Sequence, residues 1–212
     1  MAESLSDALA GARSVLVLAP GLSEGTDAVC GTLASGFDGD PADVIAVSLT
    51  RSAAEWLSRR EAYLDGDSTV RPIETGTSSH PEAATVESSE DLTGLEIALG
   101  DPLAAFEAAD RPLTICVDSL TVLLQYVDLE RAYRFLHDMD VRFGQAGALA
   151  HYHLDPGAHD EATLATLATL MDAAVGIETD PPGGVDERVT VDGVEVAVSV
   201  RQVPDGVAER ND

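Results

Sequence analysis

The stretch LTICVDSLT, residues 113–121, decides the expected fold of this 212-residue chain. Its apolar and β-branched residues run from Leu113 to Val117, end on Asp118 and are followed by Ser119. A run of this length between polar residues is typical of a strand buried on both faces in a parallel sheet. Asp118 is then expected at the carboxyl end of that strand, where open α/β sheets bind their ligands.

A second strand pattern, SVLVLA at 14–19, leads into a glycine-bearing turn and then into a helical pattern at 23–35. Strand, turn and helix in this order form the layout of a phosphate-binding loop, in which backbone N–H groups at a helix N-terminus hold the anion. The candidate nucleotide-binding residues are the glycines of the turn, the first helical residues and the aspartate that ends the strand pattern beginning at Leu113: Gly21, Gly25, Thr26, Asp27 and Asp118.

Further strand and helix patterns alternate along the chain. Strands are predicted at 44–49, 70–74, 147–154 and 173–178, and helices from Ser52 onward and at 91–109, 129–143 and 160–171. Gly100 and Pro102 predict a break within the helix at 91–109. The polar segment 75–90 is predicted to be a surface loop, and residues 202–212 are predicted to be a flexible tail.

The C-terminal region changes character. Residues 187–191 and 194–200 alternate apolar and polar positions around Asp192-Gly193, which is a strong hairpin signal. We therefore expect residues 1–212 to form a single doubly wound α/β domain, with a mostly parallel sheet flanked by helices and a C-terminal β-hairpin at 187–201. The hairpin also offers an exposed edge strand to which a partner strand can add.

The charge composition is strongly acidic. Asp and Glu number 38 against 12 Lys plus Arg, the net charge is -26, and all basic residues are arginine. This composition resembles the proteomes of salt-accumulating halophilic archaea, in which acidic side chains form a solvated, salt-adapted surface. It argues against direct nucleic-acid binding, because neutralising phosphates requires clustered Lys or Arg and the arginines here are scattered.

The cysteines and the N-terminus indicate a compartment. Cys30 and Cys116 are the two cysteines, and neither belongs to a CxxC pair, so neither a zinc ribbon nor a secreted disulfide scaffold is expected. The N-terminus lacks a basic region followed by a long apolar run. No apolar run approaches the roughly 20 residues that span a bilayer. We expect a cytoplasmic protein that does not bind membranes.

A histidine pair is the second candidate site. His151 and His153 share one face of the predicted strand at 147–154, so they can converge on a divalent metal ion such as zinc. In the structural alternative, one histidine is half-buried beside the sheet edge and the other shapes the loop toward Asp160, the expected N-cap of the next helix.

The order of these parts resembles the RecA superfamily of ATPases, specifically its archaeal KaiC-like and RadA-like branch. SVLVLAPGLSEGTD resembles the Walker A strand and loop, and VIAVSLTRSAAEWL resembles the next strand and its helix. LTICVDSLTVLL resembles the Walker B strand, and GALAHYHLDPGAHDEATLATLATLMDAAVGIE resembles the later strand, helix and strand. The resemblance implies a RecA-like fold and an Mg-ATP site at the loop and at Asp118.

The Walker A stretch departs from the family pattern. With Gly25 aligned, Thr26 stands at the position of the family's lysine, Asp27 at that of its Ser or Thr, and Pro20 at that of its first glycine. The lysine reaches the β and γ phosphates and the hydroxyl holds Mg²⁺. Asp27 instead places a carboxylate at a helix N-terminus, where the helix dipole favours an anion. We interpret the loop as a degenerate Walker A that satisfies itself.

A second departure concerns the general base. Thr50 and Arg51 stand where the family usually carries glutamates, one of which acts on the attacking water. Phosphoryl transfer depends on charge stabilisation by a cation and a metal, so we expect no ATP hydrolysis and no cofactor. As a structural alternative, Asp118 caps the following turn and bonds Ser119 or a neighbouring loop.

The expected function is a catalytically inactive regulatory or protein-interaction module with a protein partner or self-association. Two alternatives remain, a weak nucleotide-binding protein that uses Asp118 and Mg-ATP, and a metal-dependent hydrolase that uses His151 and His153. The apolar loop at 123–127 is expected to pack under the helix at 129–143, or else to form a contact face.

Overall fold

The computed structural model describes residues 4–21, 23, 25–37, 40–78, 80–107, 109 and 111–201. The strands are β1 (Ser14–Leu18), β2 (Asp43–Ser48), β3 (Thr69–Thr75), β4 (Ala84–Val86), β5 (Leu113–Asp118), β6 (Leu149–Leu154), β7 (Ala173–Ile177), β8 (Glu187–Val191) and β9 (Val194–Val200). The α-helices are α1 (Leu5–Ala8), α2 (Thr26–Ala34), α3 (Ala53–Arg60), α4 (Leu92–Glu107), α5 (Leu120–Tyr126), α6 (Leu129–Gln145) and α7 (Glu161–Ala168).

All nine strands form one sheet in the order β4-β3-β2-β5-β6-β1-β7-β9-β8. The seven strands β1 to β7 all pair in parallel with their neighbours in the sheet. The hairpin of β8 and β9 is added through β9, which pairs antiparallel with β7. The predicted doubly wound, mostly parallel sheet with a C-terminal hairpin is confirmed. Because β5 and β6 lie between β1 and β2, the loops that follow these four strands meet at one edge of the sheet.

Two layers of helices bury the sheet. Every residue of β1, β2 and β5 is buried, which is what the unbroken apolar runs predicted. Helices α4, α5, α6 and α7 contribute to one large apolar cluster through Leu99, Leu123, Leu136 and Leu167. Helices α1, α2 and α3 contribute to two separate clusters through Leu5, Leu33 and Trp56.

Helix α4 continues through the point where a break was predicted. Pro102 lies inside it, although an interior proline removes a hydrogen bond and costs roughly 3 kcal/mol. Four buried side chains at helical spacing, Leu95, Leu99, Leu103 and Phe106, anchor the helix on both sides of the proline. Burial of this apolar stripe offsets the cost, so the predicted break is wrong.

Two segments predicted as loops contain regular structure. The apolar segment after Asp118 forms the helix α5, and its Leu123 and the following Val127 are buried, so the predicted packing holds while the loop does not. Within 75–90, residues Ala84–Val86 form the edge strand β4 beside β3. The predicted tail at 202–212 lies outside the described residues. Within the described ranges, no helix has both the length and the apolar character that crossing a membrane requires.

Acidic side chains lie mainly on the surface. Among the described Asp, Glu and Arg residues, the buried ones are Asp43, Arg60, Glu74 and Asp118. A net charge of -26 therefore acts largely through solvent-exposed carboxylates, whose mutual repulsion destabilises the compact state.

We expect the melting temperature to rise between about 0.1 M and about 2 M KCl, because the Debye length shrinks from about 10 Å to about 3 Å over this range and screens the repulsion. Circular dichroism melts at several KCl concentrations measure this, with an equal osmolality of sucrose as the uncharged control. A melting temperature that responds to sucrose and KCl alike contradicts the electrostatic explanation.

Candidate functional site

The carboxyl ends of β1, β2, β5 and β6 open into a cleft of about 800 Å³. Of the residues predicted to bind nucleotide, four line this cleft: Gly21, Thr26, Asp27 and Asp118. The cleft lies where the sheet topology predicted a ligand site. Four carboxylate residues and two arginines line it, namely Asp27, Glu55, Asp118 and Asp155 with Arg51 and Arg59.

Asp118 is buried and forms an ion pair with Arg51. Its Oδ2 accepts a hydrogen bond from NH1 of Arg51, which follows the neighbouring strand β2. Nε of Arg51 also lies 3.7 Å from Oε1 of Glu55. Arg51, which pairs with Asp118, stands at one of the two positions where the RecA-like resemblance predicted a glutamate. Of the structural alternatives for Asp118, the bond to a neighbouring loop is confirmed, since Arg51 follows β2. The cap of the following helix is instead Ser119, whose Oγ accepts a hydrogen bond from the backbone N–H of Val122 in α5.

Asp27 joins α2 to α3. Its Oδ2 accepts a 2.7 Å hydrogen bond from NH1 of Arg59, and its Oδ1 lies 3.1 Å from NH1 of Arg60 without hydrogen-bond alignment. Asp27 lies in the first turn of α2 and both arginines lie in the last turn of α3, so each charge also complements a helix dipole. The carboxylate of Asp27 therefore serves as an interhelical ion bridge.

An aspartate of the chain also occupies the turn after β1. The backbone N–H of Gly21 donates a 3.1 Å hydrogen bond to Oδ2 of Asp155, which follows β6. The backbone N–H of Asp155 in turn donates to Oγ1 of Thr121 at 2.8 Å. In a phosphate loop such amides face the bound anion; here, one of them already binds a carboxylate.

Gly25 is explained by packing. A Cβ at this position would lie 2.5 Å from Cγ1 of Val194 and 3.2 Å from Cγ2 of Ile177. The backbone φ of Gly25 is -77°, which any residue adopts, so the close approach of the hairpin is the constraint. Gly25 does not line the cleft in the described structure.

Beneath the cleft lies a cluster that we call the Cys-His cluster: Cys30, Cys116, His151 and His153. The two histidines share one face of β6 as predicted, and Cys116 on β5 is the register partner of His151. Helix α2 packs across these strands and brings in Cys30. His151 is 0% and His153 5% exposed, so the predicted half-buried histidine at the sheet edge is wrong.

Sequence reasoning missed both cysteines because it considered only local spacing. Cys30 and Cys116 lie 86 residues apart, and only the sheet register and the packing of α2 bring them together. The available signal was that Cys116 and Asp118 alternate on one face of the predicted central strand. Combined with a strand order that placed residues 113–118 beside 149–154, that signal would have found the cluster.

The cluster is held by short polar contacts around Cys30. Its Sγ lies 3.5 Å from Sγ of Cys116 and 3.3 Å from Nε2 of His151, and it accepts a 3.2 Å hydrogen bond from Nε of Arg60. Arg60 is 0% exposed, and its guanidinium lies 5.2 Å from the ring centroid of Trp56. A thiolate at Cys30 is the natural partner of this buried cation.

The pKa shifts divide the roles of the two thiols. Burial raises the pKa of Cys30, but the hydrogen bond with Cys116 and the charges of His153, His151 and Arg60 hold it well below its usual range. Burial and the neighbouring Cys30 raise the pKa of Cys116 well above its usual range. Burial lowers the pKa of His151. For His153, burial also acts downward, but Cys30 and Asp118 outweigh it and raise the pKa. The pKa values of the two thiols therefore shift in opposite directions, downward for Cys30 and upward for Cys116.

Residues 12–177 match a family model described as a family of unknown function (DUF7504). The chain belongs to the DUF7504 family. The matched region ends with the last residue of β7, so it contains the cleft and the Cys-His cluster, while the β8–β9 hairpin lies beyond it. No curated protein is significantly similar to the chain in sequence.

Two solved archaeal structures resemble this DUF7504 chain. One is the uncharacterized protein PH0321 from Pyrococcus horikoshii in complex with an unknown peptide, with a TM-score of 0.58 and 13% identity over 91% of this chain and 85% of that chain. The other is the flagellar accessory protein FlaH from Methanocaldococcus jannaschii, with a TM-score of 0.49 and 13% identity over 89% and 77%. The likeness to PH0321 confirms the predicted RecA-like fold and, at this identity, shows the fold alone.

We expect Arg51→Ala to lower the free energy of unfolding by about 1–3 kcal/mol, because it leaves the buried carboxylate of Asp118 without its cation. Urea unfolding at constant high KCl measures the change. Arg134→Ala is the matched control, since Arg134 pairs with Glu130 in an exposed i,i+4 bridge worth about 0.5 kcal/mol or less. Equal effects of the two substitutions would contradict the assignment.

Proposed function

We propose that this RecA-like DUF7504 chain is a catalytically inactive, cytoplasmic module that acts through regulation or protein interaction in a salt-adapted archaeon. One observation carries the proposal: the arginines of the cleft and an amide of its first turn are engaged by carboxylates of the chain itself. A nucleoside triphosphate would have to displace these carboxylates before its phosphates could bind the same arginines and amide.

Electrostatics support this proposal. A bound triphosphate needs concentrated positive charge, and a P-loop ATPase supplies it with a lysine, backbone amides and Mg²⁺. The chain contains no lysine, and four carboxylate residues outnumber two arginines around the cleft. Two like charges about 4 Å apart repel by roughly 4 kcal/mol at the effective dielectric of a protein surface. Binding of the anion is therefore opposed unless the existing ion pairs rearrange.

A weak nucleotide-binding protein is the second candidate. It is favoured by the size of the cleft, about 800 Å³, which lies in the range of small-molecule sites. Arg51 and Arg59 would then release Asp118 and Asp27 and turn toward the phosphates, and Asp118 would be free to hold Mg²⁺.

We expect calorimetric titration with Mg-ATP at about 2 M KCl to show no saturable heat, and a phosphate-release assay to show no hydrolysis above background. The reason is that both arginines among the described residues of the cleft are already paired with carboxylates. An Asp118→Ala variant run in parallel separates the two candidates. Saturable binding by the natural chain that disappears in Asp118→Ala would contradict the proposal and favour the nucleotide-binding alternative.

Exposed apolar side chains on one face of the domain support the proposal that the chain binds a protein partner. The large apolar side chains that are exposed within the described residues are Ile97 at 72%, Tyr126 at 61% and Val141 at 48%. They belong to α4, α5 and α6, which all cover the same face of the sheet. We propose that this helical face makes the partner contact, with a second copy of the chain as the simplest partner.

Sedimentation velocity at high KCl tests self-association. We expect a concentration-dependent dimer that Ile97→Glu shifts toward monomer by about tenfold in dissociation constant, since it places a charge in an apolar contact. Thr93→Glu is the control, because it adds the same charge to an exposed position of α4 without removing an apolar side chain. A chain that stays monomeric at every concentration contradicts self-association and leaves a different protein as the partner.

A further inference from the structure

We propose that Cys30, Cys116, His151 and His153 form a structural zinc site at the centre of the domain, beneath the cleft. One ligand atom from each of the four side chains lies within 4.8 Å of all the others. All four side chains are buried. Two thiols and two imidazoles with no carboxylate among them form the donor set of structural zinc sites in proteins.

Three regular elements fix the geometry. Cys116 and His151 are neighbours across the β5–β6 register, and His153 follows His151 on the same face of β6. Cys30 lies on α2, which packs on both strands. Ligands on strands and a packed helix are held more precisely than ligands on loops. The site is therefore assembled by the fold itself and does not depend on a CxxC turn.

The distances fit tetrahedral coordination. Zinc bonds of about 2.3 Å to sulfur and about 2.0 Å to nitrogen place ligand atoms about 3.3–3.8 Å apart at the corners of a tetrahedron. Sγ of Cys30 lies 3.5 Å from Sγ of Cys116 and 3.3 Å from Nε2 of His151. A disulfide requires the two sulfurs to approach to about 2.05 Å and leaves the convergence of both histidines unexplained.

The charges balance around a divalent ion. Two thiolates neutralise Zn²⁺, and the buried cation of Arg60 lies 3.1 Å from Asp27, which also pairs with the partly exposed Arg59. Nε of Arg60 donates to Sγ of Cys30, which is the kind of outer hydrogen bond that orients a metal-bound thiolate. Metal binding releases to solvent the protons that the ligating thiols and imidazoles carry, and no electron transfer is involved.

Each buried histidine also has a ring nitrogen without a partner. Within the described structure, Nδ1 of His151 and Nε2 of His153 are buried without a hydrogen-bond partner. An ion bound at Nε2 of His151, the atom that faces Cys30, would leave Nδ1 of that ring unsatisfied, so of these two atoms only Nε2 of His153 can serve as a ligand. A buried polar atom without a hydrogen-bond partner destabilises the fold, and a bound ion is one of the features that explain such atoms in native proteins. His153 also lines the cleft, which gives the ion a path from solvent. Four protein donors leave no open position for a water, so the site is structural and a hydrolytic role is not expected.

Metal analysis of the full chain tests the proposal. The protein is purified at high KCl without chelator, stripped, and reloaded with Zn²⁺ or Co²⁺ alone. We expect about one zinc per chain, and for the cobalt form the visible bands of tetrahedral Co²⁺ with a thiolate-to-metal charge-transfer band. Chelation should lower the melting temperature by about 5 °C or more, because the ion cross-links α2 to the sheet.

Variants locate the ion. Cys30→Ser and His153→Gln should each reduce zinc retention at least tenfold, whereas His137→Gln, on the exposed surface of α6, should retain it. Circular dichroism checks that each variant is folded, and the cobalt spectrum of the natural chain gives an answer even where a variant is not. Absence of bound metal, a cobalt spectrum without thiolate bands, or a Cys30–Cys116 disulfide under non-reducing mass spectrometry would each overturn the proposal.

Discussion

The buried guanidinium of Arg60 constrains both halves of the site. A fully buried cation must be compensated, because an unpaired charge in the interior costs several kcal/mol. Arg60 is compensated from two directions, by Asp27 at the cleft and by Cys30 in the core, and it packs on the indole of Trp56. This arrangement couples the first turn of α2 to the Cys-His cluster. Neither the carboxylate nor the thiolate can be lost without leaving the other to balance the charge alone.

Charged groups around the cleft are likewise paired with other groups of the same chain. Arg51 reaches Asp118 across two neighbouring strands, Asp27 bridges two helices, and Asp155 takes the amide of Gly21. Each contact joins two segments of the chain that line the cleft or lie beside it. In open α/β sheets that bind a ligand at this edge, the ligand lies between such loops. Here, ion pairs and a hydrogen bond within the chain connect them.

Sequence reasoning predicted the sheet and its edge but misjudged the contacts that depend on tertiary placement. Long buried strands and the Asp192-Gly193 hairpin were predictable, because a continuous apolar run and a turn dipeptide are local signals. The start of α3 at Ser52 was predictable for the same reason, and Oγ of Ser52 accepts a hydrogen bond from the backbone N–H of Glu55 there. Helix α4 through Pro102 was not, since burial of distant side chains overrides local propensity. The partner of His151 was equally hidden, because Cys30 is 121 residues away in the chain.

The absence of lysine does not by itself account for the state of this cleft. Replacement of one phosphate-binding cation would leave an otherwise open loop, with free amides and a free acid at the end of β5. In this cleft, Arg51 stands opposite Asp118, and Asp27 stands opposite Arg59 and Arg60, so opposite charges occur as complementary pairs. Charges that match across separate elements stabilise one geometry and disfavour a bound anion at the same time. At the carboxyl edge of this sheet, such pairs connect α2 to α3 and the loop after β2 to the end of β5.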